Sequence, residues 1–491
     1  VNNDSEFIKL GKILSDNAKS LHNVIEMDLR PLFEIHCLVN RTYTPINWQD
    51  EYNNRVMPNT VKINPDQIYI IAKQLFAEGR MINLGLSTYK TTNWKDFWDN
   101  RLEWATSGAF SSKYEEDLKQ INRFQKDFRN KLFFFISKQN DLNLNYFTNR
   151  KPELYANASI KYEWAKQRAI YGTDLTNYVI TEFVMQNCED LLTKDMAIGK
   201  NSVPDIVKGK IAYILDHKTP FCLDFEDFNS QHTIANMKAV VCAYVDMWGD
   251  KMSDEQLFAS QWLIDSLDNQ WVNDNIGINV KYKTNGTLLS GWRLTSFVNT
   301  ILNKVYFILL QGELYQKHIS IHSGDDILVG IKSLWQVREI YKNCIKYNVR
   351  LSPLKCFVNS VAEFLRVEHG SKQVGQYIAR SLATLVAGKI ESKPAFNVLD
   401  VIEAIYNRVI EVQKRGGHVK FLKQLLVSQF LYWSKRFNLG EDLLWEIINL
   451  HRIQGGLSDI ASIKGFRIKA IIDEDVMKLL PNNDLPQVQP G

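Results

Sequence analysis

His318-Ile319-Ser320-Ile321-His322-Ser323-Gly324-Asp325-Asp326-Ile327-Leu328-Val329-Gly330-Ile331 sets two short β-like runs on either side of Gly-Asp-Asp. The pattern predicts a hairpin with both carboxylates at its tip. Gly and Asp are common turn formers, so alone the tripeptide reads first as an ordinary acidic turn.

Working upstream, Phe221-Cys222-Leu223-Asp224-Phe225 predicts a buried strand that runs into Glu226-Asp227-Phe228-Asn229-Ser230-Gln231-His232. An acidic residue at a strand's end faces whatever lies at that edge of the sheet. Between the two acidic sites stands Gly286-Thr287-Leu288-Leu289-Ser290-Gly291-Trp292-Arg293-Leu294-Thr295-Ser296-Phe297-Val298-Asn299. Ser290-Gly291 suits a flexible loop entering a helix over about 292–310. Thr295 and Asn299 share one face of that helix. Taken alone, two polar groups there read equally well as caps or tertiary hydrogen bonds.

Composition sets the frame. The chain has 491 residues, 45 % hydrophobic, 12 % aromatic and 23 % charged. That excludes a disordered chain. Twenty-four glycines and twelve prolines fall well below the roughly 12 % of an average protein, so long regular elements are expected. The net charge of +4 names no partner. Residues 80–170, however, hold 16 Lys/Arg against 10 Asp/Glu. Six widely spaced cysteines without a C-x-x-C fit reduced thiols rather than a disulfide framework or zinc site. No apolar run approaches the ~18 residues of a membrane span, so no membrane partner is expected. A Walker loop and an H-E-x-x-H motif are both missing, which argues against an ATPase or a zinc protease. The Val1 start fits a piece cut from a longer polypeptide, a trimmed product or a processed one. Residues 40–65, with three prolines, read as loop. β-like runs and helices alternate over roughly 216–370, with helical patterns on both sides, so the class is α+β.

Acidic strand end, then S-G-x-x-x-T-x-x-x-N, then G-D-D, in that order, resembles motifs A, B and C of viral RNA-dependent RNA polymerases. Asp224 through Thr233, Gly286 through Asn299 and Glu363-Phe364-Leu365-Arg366-Val367 are most similar to the totivirus-like polymerases of double-stranded RNA viruses. The resemblance implies a right-hand fold of fingers, palm and thumb. The palm would be an RRM-like antiparallel sheet; fingers and thumb would be rich in helix. It places an N-terminal extension bridging fingers and thumb at 1–95 and fingers at 96–215. The palm follows at 216–370 with a fingers insertion near 250–285, and the thumb at 371–491.

The resemblance also assigns roles. Asp224, Asp325 and Asp326 become the ligands of two Mg²⁺ ions, with Mn²⁺ as a substitute; hard cations take carboxylate and phosphate oxygens. Asn229 stands where many single-stranded RNA virus enzymes carry a second Asp. With Ser290, Gly291, Thr295 and Asn299 it would bind the nucleotide and select ribose. Lys161, Lys166 and Arg168 in Lys161-Tyr162-Glu163-Trp164-Ala165-Lys166-Gln167-Arg168 resemble motif F, the basic strand that grips the triphosphate. Lys355 resembles the motif D lysine that protonates pyrophosphate. Arg101, Ser107 and Gly108 resemble a segment near the template entrance. Glu363 and Arg366 resemble the motif E turn beneath the primer end. Two further stretches, Tyr377 through Ser381 and Gly388 through Ser392, resemble post-palm segments.

The implied partners are template and nascent RNA, ribonucleoside triphosphates and a capsid protein, to which the family's polymerase is fused or with which it is packaged, with the enzyme inside the virion in the host cytoplasm. Two other readings stay open. A reverse transcriptase shares the palm but usually carries Y-x-D-D and lacks this motif B helix. A decayed RNA-binding packaging module would not be expected to keep all three carboxylates.

Overall fold

The computed structural model describes residues 3–22, 24–39, 45–83, 89–123, 129–137, 142–164, 166–312, 319–358, 361–369, 374–387, 398–451 and 456–457. Gly388 through Ser392 lie outside them. The chain divides into two units, Val1–Ala383 and Thr384–Gly491.

Among the described residues the first unit holds ten strands. These are β1 (Leu154–Glu163), β2 (Lys166–Thr173), β3 (Thr219–Leu223), β4 (Gln270–Asp274), β5 (Val280–Lys283), β6 (Ile319–Ser323), β7 (Asp326–Ile331), β8 (Phe357–Val358), β9 (Glu363–Phe364) and β10 (Val367–Glu368). One four-stranded sheet runs β6-β7-β3-β8, every pair antiparallel. β3 is central, and Phe221, Cys222 and Leu223 are buried, as a short continuous apolar run in a covered strand requires. The helices Pro204–His217 and Thr295–Gln311 pack against this sheet.

A second sheet runs β2-β1-β4-β5, with β1 and β4 parallel and the other pairs antiparallel. Along β1, Leu154, Ala156 and Ala158 are buried in alternation, and then burial stops. The outer half of the β1–β2 hairpin therefore projects from the core that fixes its root.

Three expectations shift. Residues 40–65 contain the helix Trp48–Val56, nucleated by Asn47, whose side chain accepts from the Gln49 and Asp50 amides. The helix expected from Trp292 begins at Thr295, because Ser290 to Leu294 form the turn that leads into it. The longest strands, β1 and β2, also precede the 216–370 region where β-like runs were most evident.

The second unit contains the helices Val398–Lys414, Val419–Phe437 and Glu441–Asn449. Val401, Ile405, Val409 and Val412 recur at helical spacing and are buried with Leu422, Leu426, Phe430, Leu444 and Ile448.

Candidate active site

The pairing Leu223↔Ile327 is the last between β3 and β7. Asp224 leaves β3 where Asp326 begins β7, and Asp325 sits in the turn beside it. β6 and β7 close with Ser323 opposite Asp326, so Gly324 and Asp325 form a two-residue turn. Gly324 has φ +58° while Asp325 keeps negative φ, the pattern of a type II′ turn, which calls for glycine first.

Two residues of the Thr295–Gln311 helix clamp that turn. Thr300 Oγ1 accepts from the Gly324 amide at 2.8 Å. Asn303 Nδ2 donates to the carbonyls of Gly324 at 3.0 Å and Asp326 at 3.1 Å. Because Asn303 Nδ2 is a donor, its Oδ1 accepts from His322 Nδ1 at 2.8 Å, which fixes the tautomer of that buried ring. Burial pushes the His322 pKa well below its usual range, so the ring is neutral.

The strand end is tied on its other side. After β3, Phe225 bridges Leu351, and the Ser352 amide donates to the Asp224 carbonyl at 2.8 Å. The Asp224 amide meets Cys356 Sγ at 3.3 Å. Fully buried Gln231 staples the same segments, donating to the Glu226 and Arg350 carbonyls and accepting from the Arg350 amide. These bonds bring Lys355 to Asp224, Nζ to Oδ1 at 3.1 Å.

The carboxylates crowd one another. Burial raises the Asp224 pKa, Lys355 opposes that shift, and Asp325 and Glu363 add to it. Asp326 is pushed up to about 7 by burial first, then by Asp325 and Asp224. Among the described residues no three His, Cys, Asp or Glu side chains already converge as a metal cage. That donor set still suits Mg²⁺, which binds through one or two carboxylates and completes its shell with water and substrate phosphate.

Asn229 and Asn299 meet directly, Asn299 Nδ2 donating to Asn229 Oδ1 at 2.7 Å. Thr295 is not part of that contact: its hydroxyl donates to the Leu289 and Trp292 carbonyls. Ser290 Oγ accepts from the Tyr171 amide at 3.3 Å, and the Gly291 amide donates to the Tyr171 carbonyl at 3.0 Å. A Cβ on Gly291 would lie 2.5 Å from that carbonyl oxygen, so glycine is what allows the loop to seat against β2.

Lys161, Lys166 and Arg168 lie at the outer end of the β1–β2 hairpin, with Lys161 opposite Arg168. Glu163 pairs with Lys161 at 3.3 Å and Arg168 at 3.1 Å. Burial and then the Arg168 charge bring Lys166 down to about 8, and Lys355 adds to the effect. Arg101 donates to the Phe135 and Trp98 carbonyls. Ser107 and Gly108 are exposed, and the Gly108 carbonyl accepts from the Lys131 amide. Glu363 takes Lys19 at 2.5 Å and the Tyr377 hydroxyl at 2.7 Å. Arg366 is exposed in the β9–β10 turn, at φ +62°.

Residues 3–390 match the viral RNA-directed RNA polymerase family. The chain belongs to that family. It is 36 % identical over 490 residues to the probable RNA-directed RNA polymerase of Saccharomyces cerevisiae virus L-A, covering 98 % of this chain and 32 % of the relative. Against the probable RNA-directed RNA polymerase of Saccharomyces cerevisiae virus L-BC it is 30 % identical over 461 residues, 94 % of this chain and 30 % of that one. The chain thus spans about a third of the length of these two curated relatives. A solved insertion-loop deletion mutant of a picobirnavirus RNA-dependent RNA polymerase overlaps 79 % of the chain and 91 % of its own, with a TM-score of 0.45 and 12 % identity.

Sequence reading of this family member singled out the three acidic residues, Asn229, Asn299 and Lys355, and the structure places Asn229 against Asn299 and Lys355 against Asp224. That reading missed Gln231, His232, Thr300, Asn303, His322 and Cys356. A signal did exist for two of them: Thr300 and Asn303 continue the polar set begun by Thr295 and Asn299 on an otherwise apolar helix.

Proposed function

We propose that this chain is an RNA-directed RNA polymerase that replicates and transcribes a double-stranded RNA viral genome by template-directed nucleotidyl transfer. The observation that carries the reading is the β3–β7 register, which sets Asp224 beside the Gly324-Asp325-Asp326 turn. Family membership supports the same chemistry.

On this reading Asp224, Asp325 and Asp326 would hold two Mg²⁺ ions. Bound there, the ions would stabilise charge on the attacking and leaving oxygens and on the transferred phosphoryl group. Lys355 would give a proton to the pyrophosphate, drawn from an ammonium that already lies beside Asp224. Lys166 and Arg168 would bind the triphosphate, which relieves the mutual repulsion that depresses Lys166. Asn229 and Asn299 would meet the ribose hydroxyls.

The antiparallel β6-β7-β3-β8 sheet supports an RRM-like palm over 216–370. The joining of β4 and β5 to β1 supports 250–285 as an insertion that belongs with the fingers at 96–215. We assign 1–95 to the bridging extension and 371–491 to the thumb. Template and nascent RNA, ribonucleotides and a capsid protein, fused or packaged with the enzyme inside the virion, complete the reading. No helix among the described residues is long and apolar enough to cross a membrane.

The test is synthesis of complementary RNA from template RNA, four ribonucleotides and Mg²⁺ or Mn²⁺. Asp325→Ala is expected to abolish it; full activity in that variant would refute the metal assignment.

A further inference from the structure

His232 lies just beyond Asn229 and is fully buried. Its ring is held edge-on to Phe228, centroids 4.5 Å apart, and Phe228 stacks on Phe225 at 4.3 Å. Burial brings its pKa down to about 4, so the imidazole is neutral, with one donor and one acceptor nitrogen. Both nitrogens are engaged: Nδ1 with the Tyr306 hydroxyl at 3.0 Å and Nε2 with Asn299 Oδ1 at 2.9 Å.

The direction of these bonds follows from one end of the chain. Asn236 Nδ2 donates to Tyr306 Oη at 3.5 Å, leaving the hydroxyl proton for His232 Nδ1. The ring proton then sits on Nε2 and is given to Asn299 Oδ1. Asn299 Nδ2 therefore faces Asn229 Oδ1 at 2.7 Å. The series ends at the half-buried Asn229 carboxamide.

We propose that His232 is a positioning residue for sugar discrimination, locking the Asn299 carboxamide and, through it, that of Asn229 in the orientation that meets the ribose of an incoming nucleotide. The proposal rests on the polymerase reading above. Rotating a carboxamide by half a turn exchanges donor for acceptor. Without a fixed partner on Oδ1, Asn299 would sample both orientations and Asn229 would follow. A site penalises a missing 2′-hydroxyl only when the group that bonds it is already oriented.

The test is single-nucleotide incorporation by the 491-residue chain, with matched ribo- and deoxyribonucleoside triphosphates. His232→Phe keeps a ring against Phe228 and removes both nitrogens. It is expected to lower the ratio of kcat/KM for ribo- over deoxyribonucleotide by roughly tenfold, mainly through a higher ribonucleotide KM. Tyr306→Phe leaves His232 free to change tautomer and should move the ratio the same way, by less. His232→Gln, whose amide can still donate to Asn299, should keep more discrimination than His232→Phe. A purely structural role would slow both substrates in step. An unchanged ratio in a variant that melts as a folded protein therefore overturns the proposal. If His232→Phe does not fold, Tyr306→Phe carries the same test. A wild-type chain that incorporates neither substrate overturns the polymerase reading itself, which is a separate result.

Discussion

Lys355 Nζ lies 3.1 Å from Asp224 Oδ1, joining a flexible ammonium to the carboxylate at the end of the central strand. The lysine side chain is 60 % exposed, so the pair contributes little to stability. Its consequence is chemical: a cation already sits where, on the proposed reading, a divalent ion would bind. Lys355→Met is expected to cut nucleotide addition by about 10²-fold or more, the scale of a lost general acid. The same change should lower the Mg²⁺ concentration needed for half-maximal rate, since nothing then competes for Asp224. Elongation assays across a Mg²⁺ titration check both; an unchanged Mg²⁺ requirement would rule out the competition.

Asn303 holds the acidic turn through two backbone carbonyls and gives His322 its acceptor. Asn303→Leu keeps the volume and strands the buried His322 ring and the two half-buried carbonyls. Three groups lose their partner at about 1–3 kcal/mol each, so a loss of about 3 kcal/mol or more is expected in denaturant unfolding. Activity should fall further than stability explains, because Asp325 loses its fixed turn. A variant as stable and active as wild type would show that the clamp is dispensable.

Asp174 is fully buried at the N-terminus of the helix Leu175–Met185, with Oδ2 capping the Thr176 amide and Oδ1 without a hydrogen-bond partner. Burial raises its pKa to about 7, against the pull of Lys113. A carboxyl raised on folding binds more protons in the folded state than in the unfolded one. Its contribution to stability therefore declines as pH rises from about 4 to about 7. Asp174→Asn is expected to flatten the pH dependence of Tm across that window and to raise Tm at pH 7.5. Parallel melting curves for the two proteins at pH 5 and pH 7.5 would contradict this.

The carboxylates were legible because their signals are local. A buried run ending in Asp224, and two β-like runs around Gly324-Asp325-Asp326, each carry their structure within about ten residues. The hairpin bearing Lys161 and Arg168 was legible as a basic strand. Its root was not, since β1 finds its parallel partner β4 more than a hundred residues away. Helix Trp48–Val56 was hidden by flanking prolines, although Asn47 is a conventional cap. His232, Thr300 and Asn303 are ordinary polar residues until their partners are known. Their roles come from tertiary hydrogen bonds that no periodicity encodes.

The neighbours of β3 are supplied late. β7 follows it by about a hundred residues, and Lys355 comes 131 residues after Asp224. At roughly 5–20 residues per second, a ribosome spends about 7–26 s between emitting Asp224 and emitting its cation. Until β7 emerges β3 is an apolar strand with both edges bare, and until β8 follows Lys355 one edge stays bare, the kind of segment that associates with other chains. Assembly of the acidic cluster is thus a late event in synthesis, and the nascent chain is most exposed to aggregation while it waits.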